Sequence, residues 1–268
     1  MGFKTGWVRY GERLGYLAFP ELAKGPLPGI VVLQEAWGVD AHIRDVTERF
    51  AKAGYVALAP DLYAKDGERP PALTEPRIAE TQRFLNGHPP AVWSDQALRD
   101  AAFAKEGAEV GARIRESFGT IMGGLSPTRF LPDALDAATY LRETCELSKG
   151  AKVGTVGFCL GGGVSGLAAA HDPRLAGAVV FYGSHLSDDQ LPNVRCPLLV
   201  FHGGLDKRLA DGVPAYEAKL RAAGLAFELH LYEGAQHAFF NDNRPSYSVT
   251  AARDAFVRTL AFFQKQLG

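Results

Sequence analysis

Val153-Gly154-Thr155-Val156-Gly157-Phe158-Cys159-Leu160-Gly161 decides the reading of this chain. An apolar run leads into a glycine-flanked cysteine, and a small-residue segment over residues 162–170 follows. That order predicts a strand, a sharp turn and a helix, with a reactive side chain at the apex. The flanking glycines have a steric reason. The apex of so tight a turn takes a strained backbone, and a Cβ on either neighbour would crowd it. The helix that starts there points unpaired N–H groups and the positive end of its dipole at the sulfur, which favours thiolate.

Two plainer readings fit the same residues. A free cysteine often serves as a small buried hydrophobe, and glycine-rich turns after strands also bind nucleotides. Gly154, Gly157 and Gly161 do not give G-x-G-x-x-G, and no G-x-x-x-x-G-K-[ST] occurs, so neither nucleotide motif is present. The downstream residues favour a nucleophile. Asp206 lies in the loop His202-Gly203-Gly204-Leu205-Asp206, after a strand-like run over 196–201. His237 lies in the loop Glu233-Gly234-Ala235-Gln236-His237, after a strand-like run over 227–232. Each stands just past the C-terminal end of a predicted strand, where open parallel sheets place their crevices. The cysteine motif is the nucleophile elbow G-x-S-x-G of the α/β-hydrolases with cysteine for serine. The order nucleophile, acid, histidine is also theirs.

Those residue types divide the chemistry between them. A thiol, with an ordinary pKa of about 8.5, is a weak nucleophile until deprotonated. His237 would act as base and return the proton to the leaving group, while Asp206 would fix the imidazole tautomer. Attack on an ester builds an oxyanion that needs preorganised donors. One is the backbone N–H of Leu160. The second is expected in Gln34-Glu35-Ala36-Trp37-Gly38, which ends the apolar run Ile30-Val31-Val32-Leu33.

Residues 32–39, His42-Ile43-Arg44-Asp45 and the run 54–63 resemble the dienelactone hydrolase (carboxymethylenebutenolidase) family. So do Gly157-Phe158-Cys159-Leu160-Gly161-Gly162, Phe181-Tyr182-Gly183 and Gly234-Ala235-Gln236-His237-Ala238-Phe239. The resemblance implies an α/β-hydrolase fold, a triad of Cys159, His237 and Asp206, no metal, and opening of an unsaturated lactone. It further implies that Glu35 contacts the resting thiol and shares in its activation, and that Ala36 gives the second oxyanion N–H. Trp37, beside that position, is expected to wall the pocket. The family's arginine after the catalytic histidine falls on Asn241 here, with Arg244 three residues on as a substitute. A second carboxylate anchor would fall near Arg77 and Arg83. Each of these arginines equally fits an ordinary surface charge.

Bulk composition agrees with a soluble enzyme. The chain has 268 residues, 47% of them apolar, enough for a large α/β core. A formal net charge of −1 gives no footprint for nucleic acid and no polybasic patch for membranes. Met1-Gly2-Phe3-Lys4-Thr5-Gly6 lacks the apolar core of a signal peptide, and no apolar run is long enough to span a bilayer. Three dispersed cysteines fit a reducing cytoplasm, with Cys145 and Cys196 structural. Seven histidines show no metal-ligand spacing. No cofactor is expected, the partner is a small ester or lactone, and the chain is expected to be a monomer or homodimer.

Residues 1–268 are expected to form one α/β-hydrolase domain with a mainly parallel sheet, flanking helices and an N-terminal antiparallel hairpin. The hairpin pairs 7–10 with 14–19. A helix starts at the N-cap Asp40 and stops at Gly54, and the last helix starts near Thr250 with Phe256, Leu260 and Phe263 inward. The segment 64–130 is less regular. Asp66-Gly67-Glu68-Arg69-Pro70-Pro71 and His88-Pro89-Pro90 punctuate it, 94–118 reads as helical, and 119–127 reads as a break. It is expected either to flank the pocket or to supply outer helices. Three functions stay open: a cysteine-dependent lactone and ester hydrolase, a broader carboxylesterase or thioesterase, and a non-catalytic redox-sensing or binding relative.

Overall fold

The computed structural model describes residues 2–89 and 91–268. Met1 of the opening hexapeptide and Pro90 of the second punctuation therefore lie outside the described residues. The sheet begins with an antiparallel hairpin of β1 (Phe3–Tyr10) and β2 (Arg13–Pro20), in which Tyr10 pairs with Arg13 across a turn opened by Gly11 at φ 59°. β3 (Gly29–Leu33), β4 (Val56–Pro60), β5 (Val153–Phe158), β6 (Gly177–Phe181) and β7 (Leu198–Gly203) follow, each buried along its whole length. Uninterrupted apolar runs are what parallel strands need when helices cover both faces. β8 (Phe227–Tyr232) closes one edge with its residues partly exposed. The strand order is β1-β2-β4-β3-β5-β6-β7-β8, antiparallel up to β4 and parallel beyond it.

α1 (Ala41–Lys52) starts where the sequence predicts, with Asp40 Oδ1 accepting the Ile43 N–H at 3.0 Å, and Gly54 at φ 101° follows its end. The final helix of the chain, Val249–Leu267, lays Phe262 and Phe263 into the core, with Phe256 and Leu260 packed against it.

The chain divides into two compact units, one made of residues up to Leu62 with Ser126–Gly268, the other of Tyr63–Leu125. The second unit is helical: α2 (Glu75–Asn86), α3 (Ala91–Ser94), α4 (Gln96–Lys105) and α5 (Ala108–Gly123). Phe84 stacks on Phe103 at 5.0 Å, and Phe103 meets Phe118 edge-on at 6.3 Å. One expectation fails here. The helix does not break at Gly119 but runs on to Gly123, because Phe118 and Ile121 are buried and hold it. Packing outweighs the cost of an interior glycine, about 1 kcal/mol. The expected break survives only over residues 124–126, between Gly123 and Pro127, and another break falls at Gly107, with φ 86°.

The first unit continues with α6 (Pro127–Thr139), α7 (Leu160–His171), α8 (Lys207–Ala210) and α9 (Val213–Ala222), so the final helix is α10. No helix among the described residues is long and apolar enough to cross a membrane.

Candidate active site

Cys159 stands between β5 and α7 with φ 55° and ψ −112°, a conformation side-chain-bearing residues avoid. The neighbours make the turn possible. A Cβ on Gly157 would strike the Gly161 carbonyl, and one on Gly161 would strike the carbonyls of Leu33 and Gln34. Gly161 N–H instead donates to Gln34 O at 2.9 Å, which ties the start of α7 to the loop after β3. Gly161→Ala is accordingly expected to cost about 3 kcal/mol or more of stability, lowering Tm by roughly 6–12 °C in a thermal melt.

Backbone bonds carry the sheet's pairing past its strand ends. Cys159 N–H donates to Phe181 O at 3.0 Å, Tyr182 N–H to Phe201 O at 2.7 Å, and Gly204 N–H to Tyr232 O at 2.8 Å. The loops after β5, β6, β7 and β8 are thereby laced side by side. The four non-glycine described residues with positive φ are Asp66, Cys159, Tyr182 and Ala238, and all but Asp66 belong to these loops.

This lacing brings Cys159, His237 and Asp206 into one line. His237 Nε2 lies 3.2 Å from Cys159 Sγ, and His237 Nδ1 lies 2.6 Å from Asp206 Oδ2. Burial alone would pull the His237 pKa down. The charge on Cys159 and the hydrogen bond to Asp206 outweigh it and push the imidazole up to about 10. Burial works against ionisation of Asp206 too, but its hydrogen bond to His237 prevails and holds it below the usual carboxylate range.

Glu35 is buried directly after the loop's first residue, Gln34, whose Oε1 accepts the Leu62 N–H at 3.1 Å. The Glu35 carboxylate accepts from Tyr182 Oη at 3.0 Å and from Asn241 Nδ2 at 2.9 Å. Sγ is hydrogen-bonded to His237, while the two Glu35 oxygens are held by Tyr182 and Asn241. Burial first, then the Glu35 charge, raises Tyr182 well above the usual phenol range, so it stays a donor.

Leu160 opens α7, where the first N–H groups of a helix have no acceptor within it, and Ala36 follows Glu35. Trp37 is almost fully buried, with the Arg244 guanidinium 5.8 Å from its ring centre. Arg77 and Arg83 both belong to α2 of the second unit. Arg77 Nη2 donates to Glu116 Oε2 and to Arg113 O, each at 2.7 Å, and Arg83 is exposed in the last turn. Cys145 and Cys196 are both buried, and burial pushes the Cys196 thiol up to about 11. His202, expected in the Asp206 loop, lies within β7, and burial takes its pKa down to about 3. Among the described residues no three His, Cys, Asp or Glu side chains form a cluster able to hold a metal ion.

Sequence reading missed the parts of Tyr182 and Asn241 in this site. A tyrosine just past a strand end, in the Phe181-Tyr182-Gly183 motif, was the available signal for the first.

A mainly parallel sheet with an antiparallel lead-in and this residue order on successive strand ends is the architecture of an α/β-hydrolase. The dienelactone hydrolase family model matches residues 14–267, and the chain belongs to that family, within the carboxylic ester hydrolases. A protein of Escherichia coli O157:H7, provisionally named a carboxymethylenebutenolidase, is 32% identical over 264 residues, covering 94% of this chain and 82% of the relative. A similarly named protein of Saccharolobus solfataricus is 30% identical over 253 residues, covering 93% of each. The crystal structure of a provisionally named dienelactone hydrolase from Klebsiella pneumoniae superposes with a TM-score of 0.73 at 28% identity, over 99% of this chain and 100% of that one.

Proposed function

We propose that the chain hydrolyses small esters and lactones through a thioester on Cys159. The observation that carries the reading is the line Asp206–His237–Cys159, with its 2.6 Å and 3.2 Å contacts. Cys159 Sγ adds to the carbonyl carbon, and the oxygen takes the electron pair as an oxyanion facing the Leu160 and Ala36 N–H groups. As the carbonyl re-forms, the alkoxide leaves and takes a proton from His237 Nε2. In a lactone that alcohol stays tethered to the acyl group. Water then attacks the thioester, giving a proton to His237, and Sγ departs as the acid is released. Asp206 steadies the imidazolium through both steps.

Arg244, over the Trp37 ring, is the residue that would meet a substrate carboxylate if the substrate is the lactone. Asn241 supports a second reading, hydrolysis of neutral esters, because its amide is turned onto Glu35. Three free cysteines support a cytoplasmic setting.

The test compares kcat/KM for dienelactone with that for a short neutral aryl ester, with Cys159→Ala as blank. At least one rate is expected to exceed the blank by roughly 10⁴-fold. A lactone preference would favour a role in breakdown of aromatic compounds, and an ester preference the broader esterase. Both rates equal to the blank would overturn the hydrolytic reading.

A further inference from the structure

Glu35 is 2% exposed, and each of its carboxylate oxygens has its own donor. The donors come from distant sequence, Tyr182 at a separation of 147 residues and Asn241 at 206. Both are 1% exposed and neither can turn away. Asn241 N–H donates to Ala238 O at 3.0 Å, and Asn241 Oδ1 accepts the Asn243 N–H at 3.0 Å. Tyr182 is fixed by its backbone bond to Phe201 and by rings on several sides, Phe158, Phe181 and Phe239 among them.

We infer that Tyr182 and Asn241 are positioning residues that clamp Glu35 as a fixed anionic brace across the loops after β3, β6 and β8. The clamp holds the loops that carry the Cys159–His237 contact and fits the site to uncharged esters. This rests on the reading of Cys159 as nucleophile.

The location of the brace explains what it would do. Ala36, the proposed oxyanion donor, is the next residue after Glu35. His237 hangs from the same turn that ends in Asn241, and its ring stands edge-on to Tyr182 at 5.1 Å. Fixing Glu35 at both oxygens therefore fixes the base relative to the oxyanion donor. Swinging the carboxylate towards Sγ would break both bonds and leave buried donors unpaired, which is costly in a dry interior. An anionic acyl group would meet the immobile charge of Glu35, and the Asn241 amide is already committed at both ends. An uncharged acyl group pays no such repulsion.

The experiment follows alkylation of Cys159 by iodoacetamide in the full chain over pH 5–10, beside kcat and KM for a neutral aryl acetate. Tyr182→Phe and Asn241→Leu each release one carboxylate oxygen and bring negative charge nearer the sulfur. Each is expected to move the alkylation midpoint upward by about one pH unit and to lower kcat about tenfold, with KM within about twofold of wild type. Adding Glu35→Gln to Asn241→Leu removes the charge and is expected to return the midpoint to that of wild type. Unchanged profiles and kcat in both single variants would overturn the inference, as would a shift that survives Glu35→Gln.

Should Asn241→Leu not fold, the isosteric Asn241→Asp gives the same test. Two carboxylates at this spacing share a proton at low pH and repel each other at high pH. Its activity relative to wild type is expected to fall as pH rises, and a wild-type profile over pH 5–9 would overturn the brace. The other titratable or charged groups on the loops and helix involved are the Cys159–His237 pair, Arg244, and Asp242 (next to Asn241) with its α1 partners Arg49 and His42. For the substrate class, the neutral ester is expected to exceed its free-carboxylate counterpart by about tenfold in kcat/KM. A preference for the carboxylate overturns this inference and leaves Cys159 as nucleophile intact. An active Cys159→Ala would instead bring down the reading beneath it.

Discussion

Cys159→Ala is expected to lower kcat/KM on a short aryl ester by roughly 10⁴-fold or more, with Tm within about 3 °C of wild type. The two halves of this result have separate causes. The backbone demand at φ 55° is the same for alanine as for cysteine, so the elbow keeps its strain and its glycine contacts. What disappears is the sulfur that lies 3.2 Å from His237 Nε2. On the proposed mechanism no acyl-enzyme can then form, and turnover falls to what oriented water and the proposed oxyanion donors supply. Steady-state kinetics and a thermal melt check both halves. Activity near wild type would remove the assigned nucleophile, whereas a large fall in Tm would mean the loss measures unfolding.

His237→Ala should come within about tenfold of that loss, because residues that pass one proton act as a unit. It also predicts a pH signature in stability. The folded His237 pKa is raised from 6.5 to about 10, burial opposing the rise and the Cys159 charge and Asp206 bond producing it. A raised pKa means that the protonated ring stabilises the fold fully below pH 6.5, and that this contribution fades as pH climbs through about 10. The Tm gap between wild type and His237→Ala is therefore expected to be widest near pH 6 and to narrow towards pH 10. A gap that widens with pH would contradict the charge assignment. Together with the single-variant kinetics, this separates an imidazolium held by its neighbours from a ring that merely packs.

The elbow was legible because its constraint is local. Gly157 and Gly161 are required by atoms within a few residues or on the adjacent loop, and their spacing displays that need. Asp206 and His237 were legible for a topological reason, since parallel strands all deliver their C-terminal ends to one edge. The hairpin and the Asp40 cap follow from turn and capping chemistry. Tyr182 and Asn241 were not legible in their roles. A tyrosine after an apolar strand reads like core, and Asn241 stood out only as the residue in place of an expected arginine. Each acquires meaning only on meeting Glu35, which folding alone brings near. Gly119 misled for the opposite reason: its local propensity is overruled by the burial of Phe118 and Ile121.

The line from sulfur to imidazole spans 78 positions of the chain, with Asp206 arriving between them. During synthesis from the N-terminus the elbow is therefore made well before its base and its acid. Parallel strands pair late and slowly, since their crossovers must close first. Until β7 and β8 dock, Cys159 is a thiol with no partner to take its proton. On the proposed mechanism a half-folded chain is chemically quiet, and acylation of Cys159 by an ester probe would report pairing of β7 with β8. On the proposed triad, reactivity is a property of the assembled sheet, complete only once β8 has paired with β7.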